Sequence, residues 1–301
     1  MRIFLTGATG FVGTMVASDL KAAGHDVLGM ARNDAGAEML KSRGVAVHRG
    51  ELTDHASLVA GAKACDGVIH TAFVHDFTKF EQNIEIDRQA VAAMIGALEG
   101  TNKPLVIASG TGLLGLGATG AQPLGTEKDL APGELATRGR AATEGLVRDA
   151  AKRGVRSSIV RLPPTVHGKG DKGFVPMMID LSRKGGQAGY IGEGVNRWPA
   201  VHRIDAARVF RLAAEKGAPG STFHAVAEEG IPMRVISEAI GKGLGLPVRS
   251  LSMEQAQQHF GWFTMFTMLD NPSSSAWSRQ TLGWQPKEIG LLQDMSETYF
   301  S

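Results

Sequence analysis

Cysteine is almost absent from this 301-residue chain. Its one thiol, Cys65, has no partner for an internal disulfide, which excludes a cross-linked scaffold and points to a reducing, cytoplasmic setting. Cys65 precedes the apolar run Gly67-Val68-Ile69 and reads as a packing residue, not a reactive thiol. A dominant charge is missing too: 32 Lys and Arg against 30 Asp and Glu give a formal net charge of +2, without the broad basic field that a nucleic-acid backbone requires. No apolar run approaches the ~18 residues of a membrane span, and the opening stretch gives way to glycine too soon for a secretory signal. The 9 histidines contain no His-Glu-x-x-His spacing, so no metal-ligand set is expected. Tyrosine occurs only at Tyr190 and Tyr299, which leaves the whole chain before them without a phenol.

What is present suffices for a large core, with 43% of residues hydrophobic. β-like runs at 26–31, 45–49, 67–71, 105–109 and 156–162 alternate with helical stretches at 11–23, 35–42, 80–99 and 138–153, each helix closed by a glycine (Gly24, Gly44, Gly100, Gly154). This alternation predicts an α/β fold: a Rossmann-like, doubly wound parallel sheet with helices on both faces. After Gly168 the pattern weakens, then returns in a helix at 203–214 and a strand at 221–225. The expected division is therefore discontinuous, with residues 1–168 and 199–225 in a dinucleotide-binding domain and residues 169–198 and 226–301 in a smaller, mostly helical substrate lobe.

The segment Thr6-Gly7-Ala8-Thr9-Gly10-Phe11-Val12-Gly13 follows the first strand-like run and opens a helix. Gly7 permits a tight turn, Gly10 a close approach of backbone to phosphate, and Gly13 close packing of helix on sheet. Thr9, Phe11 and Val12 complete the turn around a pyrophosphate. At the end of the second predicted strand, Arg32 offers a planar cationic fork and Asn33 an amide, which favours the 2'-phosphate of NADP(H), with NAD(H) as the alternative because Asp34 follows at once. One strand later, Glu51 can accept the adenine amino hydrogen and Leu52 can cover the ring.

These residues together resemble the short-chain dehydrogenase/reductase superfamily in its extended, epimerase-like branch. The Gly-rich turn, Glu51-Leu52, His70-Thr71-Ala72-Phe73, Arg161-Leu162-Pro163-Pro164-Thr165-Val166-His167-Gly168 and Val201-His202-Arg203-Ile204-Asp205 match it in order. The resemblance implies an NAD(P)-binding oxidoreductase in which Thr71, Ala72, Phe73 and Pro163 border the cofactor, a small-molecule substrate held by the C-terminal lobe, and often a homodimer. One departure stands out. The family's Tyr-x-x-x-Lys pair stacks two groups on one helix face, whereas here Ala136 takes the tyrosine position and Arg140 the lysine position. Arg140 can still bind ribose hydroxyls; Ala136 cannot transfer a proton.

Replacements for the missing phenol are sought among Thr111 and Ser109 at the end of the fifth predicted strand, and Tyr190 and His202 flanking the return from the substrate lobe. His75 and His167 read as loop or packing residues. Trp198, Trp262, Phe263, Met265, Phe266 and Met268 give the lobe an apolar character, suited to core packing or to an apolar pocket. The expected function is NADPH-dependent hydride transfer to a C=O or C=N group of a small, largely apolar substrate. The alternatives are a nucleotide-sugar epimerase or dehydratase and a non-catalytic NADP(H) sensor.

Overall fold

The computed structural model describes residues 1–74, 76–115 and 120–300. Its N-terminal half alternates strand and helix: β1 (Arg2–Thr6), α1 (Gly13–Ala22), β2 (Asp26–Ala31), α2 (Asp34–Ser42), β3 (Ala46–Arg49), α3 (His55–Lys63), β4 (Gly67–His70), α4 (Phe80–Leu98), β5 (Pro104–Gly110), α5 (Gly139–Ala150) and β6 (Arg156–Leu162). Then follow β7 (Thr165–His167), α6 (Phe174–Gly185), β8 (Ala188–Ile191), β9 (Arg197–His202), α7 (Arg203–Lys216) and β10 (Ser221–His224). The remainder contains β11 (Glu228–Pro232), α8 (Met233–Leu244), β12 (Val248–Leu251), α9 (Met253–Phe260), α10 (Thr264–Thr267), α11 (Ala276–Leu282) and α12 (Leu291–Thr298).

Seven strands form one parallel sheet in the order β10-β6-β5-β4-β1-β2-β3. Its register sets Thr6 beside His70 and Ser109 beside Arg161, so the carboxyl ends of the central strands line one edge. Strand residues alternate between two cores: Ile3 and Leu5 face Val16, Leu20 and Phe210, whereas Phe4 joins Leu58, Val91 and Met94 on the opposite side. Trp284, far downstream, is buried in the first of these cores.

The second part has its own core, including Trp198, Ile236, Phe260 and Phe263. A three-stranded sheet, β11-β9-β7, connects it to the first: β7 pairs in parallel with β9, carrying His167 beside His202. The chain thus crosses between its two parts through paired strands and not through a loose linker. Strand β10 returns to the large sheet beside β6. No described helix is long and apolar enough to cross a membrane.

Candidate active site

The Gly-rich turn is held under steric compulsion. Gly7 has φ +70°, and a Cβ there would lie 2.6 Å from the Ala72 nitrogen and 2.7 Å from Thr71 Oγ1. A Cβ on Gly13 would stand 2.0 Å from the Gly7 oxygen, so α1 can start this close to β1 only with glycine. Thr71 Oγ1 donates to the Thr6 carbonyl (2.9 Å), and the Gly10 N–H donates to Gly7 (2.8 Å), which fixes the loop after β4 against the turn. Val12 leans on the first core and Thr9 is half-buried. No side chain caps the start of α1, whereas Asn33, Asp54 and Ser252 cap the starts of α2, α3 and α9. An uncapped helix N-terminus above an open glycine is the arrangement that suits an anion.

At the adenine side, Arg32 and Asn33 are exposed at the end of β2. The Asn33 side-chain oxygen is spent capping α2, accepting from the Gly36 N–H at 2.9 Å. Asp34 is ion-paired with Arg49. Glu51 is exposed and accepts from Thr53 Oγ1 (3.0 Å), while Leu52 is buried in the second core.

The opposite end of the cleft is organised around Arg140. Its guanidinium donates to the Ala108 carbonyl on β5, lies 4.5 Å from the centroid of the Phe73 ring, and stands 3.6 Å from Asp87 Oδ2. Asp87, on α4, is fully buried, and its other oxygen meets His70 Nε2 at 3.1 Å; His70 Nδ1 in turn contacts Thr6 Oγ1 at 2.7 Å. Burial alone would push the Asp87 carboxyl up, but the His70 hydrogen bond and the Arg140 charge outweigh it and hold Asp87 below the usual carboxylate range. A buried chain therefore runs from β1 through β4 and α4 to the cation at the lysine position. Pro163 is buried just beyond β6.

The proposed proton donors fare differently. Ser109 is buried with its hydroxyl beside the buried Glu144 carboxylate, whose charged form it helps to hold, although no well-formed hydrogen bond joins them. Thr111 corrects the expectation of a substrate-facing hydroxyl: it is fully buried, donates to Asn271 Oδ1 (2.7 Å), and its carbonyl accepts from Asn271 Nδ2 (2.9 Å). Its hydroxyl serves a clasp between two distant segments. Tyr190 likewise does not face the cleft, for it packs in the core of the second part beneath Arg234, 5.0 Å from its ring centroid. His202 caps α7, accepting from the Ile204 N–H, and packs edge-on against His167 at 5.3 Å; burial, then His167, pushes its pKa down. His167 is buried and paired with Asp294 (2.8 Å), in keeping with a packing role. His75 lies outside the described residues.

Sequence reasoning missed Asp87 and the part His70 plays. The available signal was a polar pair, Asn83 and Asp87, at helical spacing on the stripe of α4 that otherwise buries Ala90, Val91, Met94 and Leu98. It also missed Arg203, whose guanidinium lies 4.8 Å from the centroid of the Phe11 ring in the Gly-rich turn.

Comparison with known proteins places this architecture. A family model described as the NAD dependent epimerase/dehydratase family matches residues 3–226. A Saccharomyces cerevisiae protein is 45% identical over 99% of both chains, and the 2-alkyl-3-oxoalkanoate reductase of Stenotrophomonas maltophilia is 28% identical over 82% of this chain and 77% of its own. Among solved structures, the dTDP-glucose 4,6-dehydratase DesIV of Streptomyces venezuelae superposes with a TM-score of 0.77 at 18% identity, covering 99% of this chain and 95% of that one. The dTDP-glucose 4,6-dehydratase of Bacillus anthracis gives 0.72 at 18%, with coverages of 99% and 95%. Both hold NAD, which overturns the expected preference for NADP(H). At the end of β2 the Asn33 side-chain oxygen is committed to capping α2 and Asp34 is ion-paired with Arg49. With the glycine turn, the parallel sheet and the matched segment in agreement, the chain belongs to the NAD-dependent epimerase/dehydratase family of extended short-chain dehydrogenases/reductases.

Proposed function

We propose that this protein binds NAD(H) and moves a hydride between it and a hydroxyl- or carbonyl-bearing carbon of a small substrate, within the epimerase/dehydratase class of chemistry. The observation that carries this reading is the convergence, at the carboxyl edge of one sheet, of a cradle that tolerates only glycine with a cationic fork fixed over Phe73. Residues 1–168 and 199–225, closed by the segment around Leu282 and Trp284, then bind the dinucleotide, and residues 169–198 with the rest of 226–301 enclose the substrate. NAD(H), when bound, supplies or accepts the hydride.

The chain's own residues supply position and charge. Arg140 is a hydrogen-bond donor and cation, not a proton donor, so it stabilises negative charge on the reacting oxygen in place of a phenol. Asp87 and His70 hold its fork in place, because a carboxylate at 3.6 Å favours one orientation of the guanidinium.

A second reading, net reduction of an apolar ketone, is favoured by the aromatic wall on the substrate side. Phe174, Phe263 and Phe266 interlock there, and Trp262, Met265 and Met268 are exposed. Similarity to the Stenotrophomonas reductase points the same way.

Nicotinamide absorbance separates the readings. With nucleotide sugars, an epimerase or dehydratase gives a new product without net change in NADH. With hydrophobic β-keto acids and aryl ketones, a reductase consumes NADH stoichiometrically. A protein that binds NAD yet does neither would sink the catalytic reading and leave a non-catalytic dinucleotide-binding protein.

A further inference from the structure

The cleft contains a second arginine whose charge nothing in the described protein answers. Arg203 is the first residue of α7, and its guanidinium covers the ring of Phe11, between Gly10 and Gly13 of the cradle. Its Nε is buried without a hydrogen-bond partner, and no carboxylate among the described residues pairs with it. Other half-buried arginines have polar partners: Arg197 meets Asp270, Arg208 meets Asp205 and Glu288, Arg211 meets Asp19 and Glu215, and Arg156 and Arg279, which also lack a carboxylate, donate to backbone carbonyls.

The side chain is seated and not adrift. Gly168 adopts φ +135°, and a Cβ there would stand 3.1 Å from Arg203 Cγ and 3.3 Å from Cδ, so the aliphatic stem occupies room left by a missing side chain. The electrostatics then pose a problem. The start of α1 is uncapped and carries the positive end of the helix dipole. A guanidinium stacked on the same turn adds like charge to it, and an in-plane N–H left without an acceptor carries a desolvation cost that a ring beneath the face cannot offset. An anion lying between the turn and the guanidinium removes both penalties at once.

We infer that Arg203 is a phosphate clamp for a nucleoside diphosphate, closing over the cradle from the α7 side with Phe11 as its platform. The inference rests on the dinucleotide reading given above and adds to it the residue that engages the pyrophosphate from outside the Gly-rich turn. Binding of NAD, ADP and adenosine, measured by calorimetry, tests it without reference to turnover. Arg203→Met keeps the stem against Gly168 and Phe11 but removes the charge.

The expected result is a loss of about 10- to 100-fold in affinity for NAD and ADP, as for one or two charge-assisted hydrogen bonds, with adenosine unaffected and a shallower dependence of NAD binding on salt. Arg203→Lys, which keeps charge without the fork, should fall between the two and carries the test if the methionine variant melts early. NAD binding by Arg203→Met within about twofold of wild type, or an equal loss for adenosine, overturns the clamp while the dinucleotide reading stands. Wild-type protein that binds neither NAD nor ADP overturns both.

Discussion

Two hydroxyls at the end of β5 have opposite fates. Thr111 is locked to Asn271 in a reciprocal, fully buried pair, whereas Ser109 lies beside Glu144 without a well-formed hydrogen bond. Thr111→Val should therefore lower stability by about 1–3 kcal/mol, because Asn271 Oδ1 is left buried without its donor; urea denaturation measures it, and NAD affinity should stay unchanged. Ser109→Ala should move the denaturation midpoint less than Thr111→Val does, because no well-formed hydrogen bond is lost. Only their placement at the strand end was legible. Their difference was not, because it depends on an asparagine 160 positions away that no local pattern announces.

At the scale of elements, β2 and β6 were legible to the residue, and Gly154 ends its helical segment in the left-handed region, φ +74°, as a helix-terminating glycine should. Helix α3 was missed because it buries Leu58, Gly61 and Ala62 and so presents little contrast between its faces. Helix α6 was missed because Pro176 reads as a breaker, although it sits in the first turn, where no intrahelical donor is lost. Helix α4 carries the functional consequence. Its buried Asp87 faces Arg140 from below, and Asp87→Asn keeps the shape while removing the charge. The expected outcome is a fall in kcat of about tenfold or more with NAD affinity held within a few-fold. Equal losses in both would make Asp87 a support of the cofactor loop instead of a positioning group for Arg140.

Across the whole molecule, charged and polar groups are buried beneath the edge where β6 meets β10. Arg161 pairs with Glu144 through two bonds (2.9 and 2.7 Å) and contacts His224 Nε2 at 3.3 Å. His224 Nδ1 bonds the Ser274 carbonyl at 2.8 Å, and Glu127 accepts from both the N–H and the hydroxyl of Ser278. Burial first, then the Arg161 charge, brings His224 down from 6.5 to about 4. The folded protein thus refuses a proton that the unfolded chain takes up below pH ~6.5. Stability from this group is complete above that pH and declines as pH falls toward 4, by an amount on the order of 3 kcal/mol. Urea midpoints at pH 7.5 and pH 5 should differ accordingly, and His224→Gln should flatten the difference; an unchanged slope in that variant would assign the pH sensitivity elsewhere.

The same downstream segment completes the first core. Trp284 fills it and donates from its indole to the Asp205 carbonyl, while the Asp205 carboxylate accepts from the backbone of Lys287 and Glu288. During synthesis, every strand of the parallel sheet has left the ribosome once His224 emerges, yet one wall of that sheet stays open until the Trp284 region follows. Vectorial folding cannot finish the dinucleotide-binding half first and add the rest at leisure. A premature stop codon between these two points would release a chain with all its parallel strands and an unsealed interior, a substrate for chaperones and proteases and not a functional fragment.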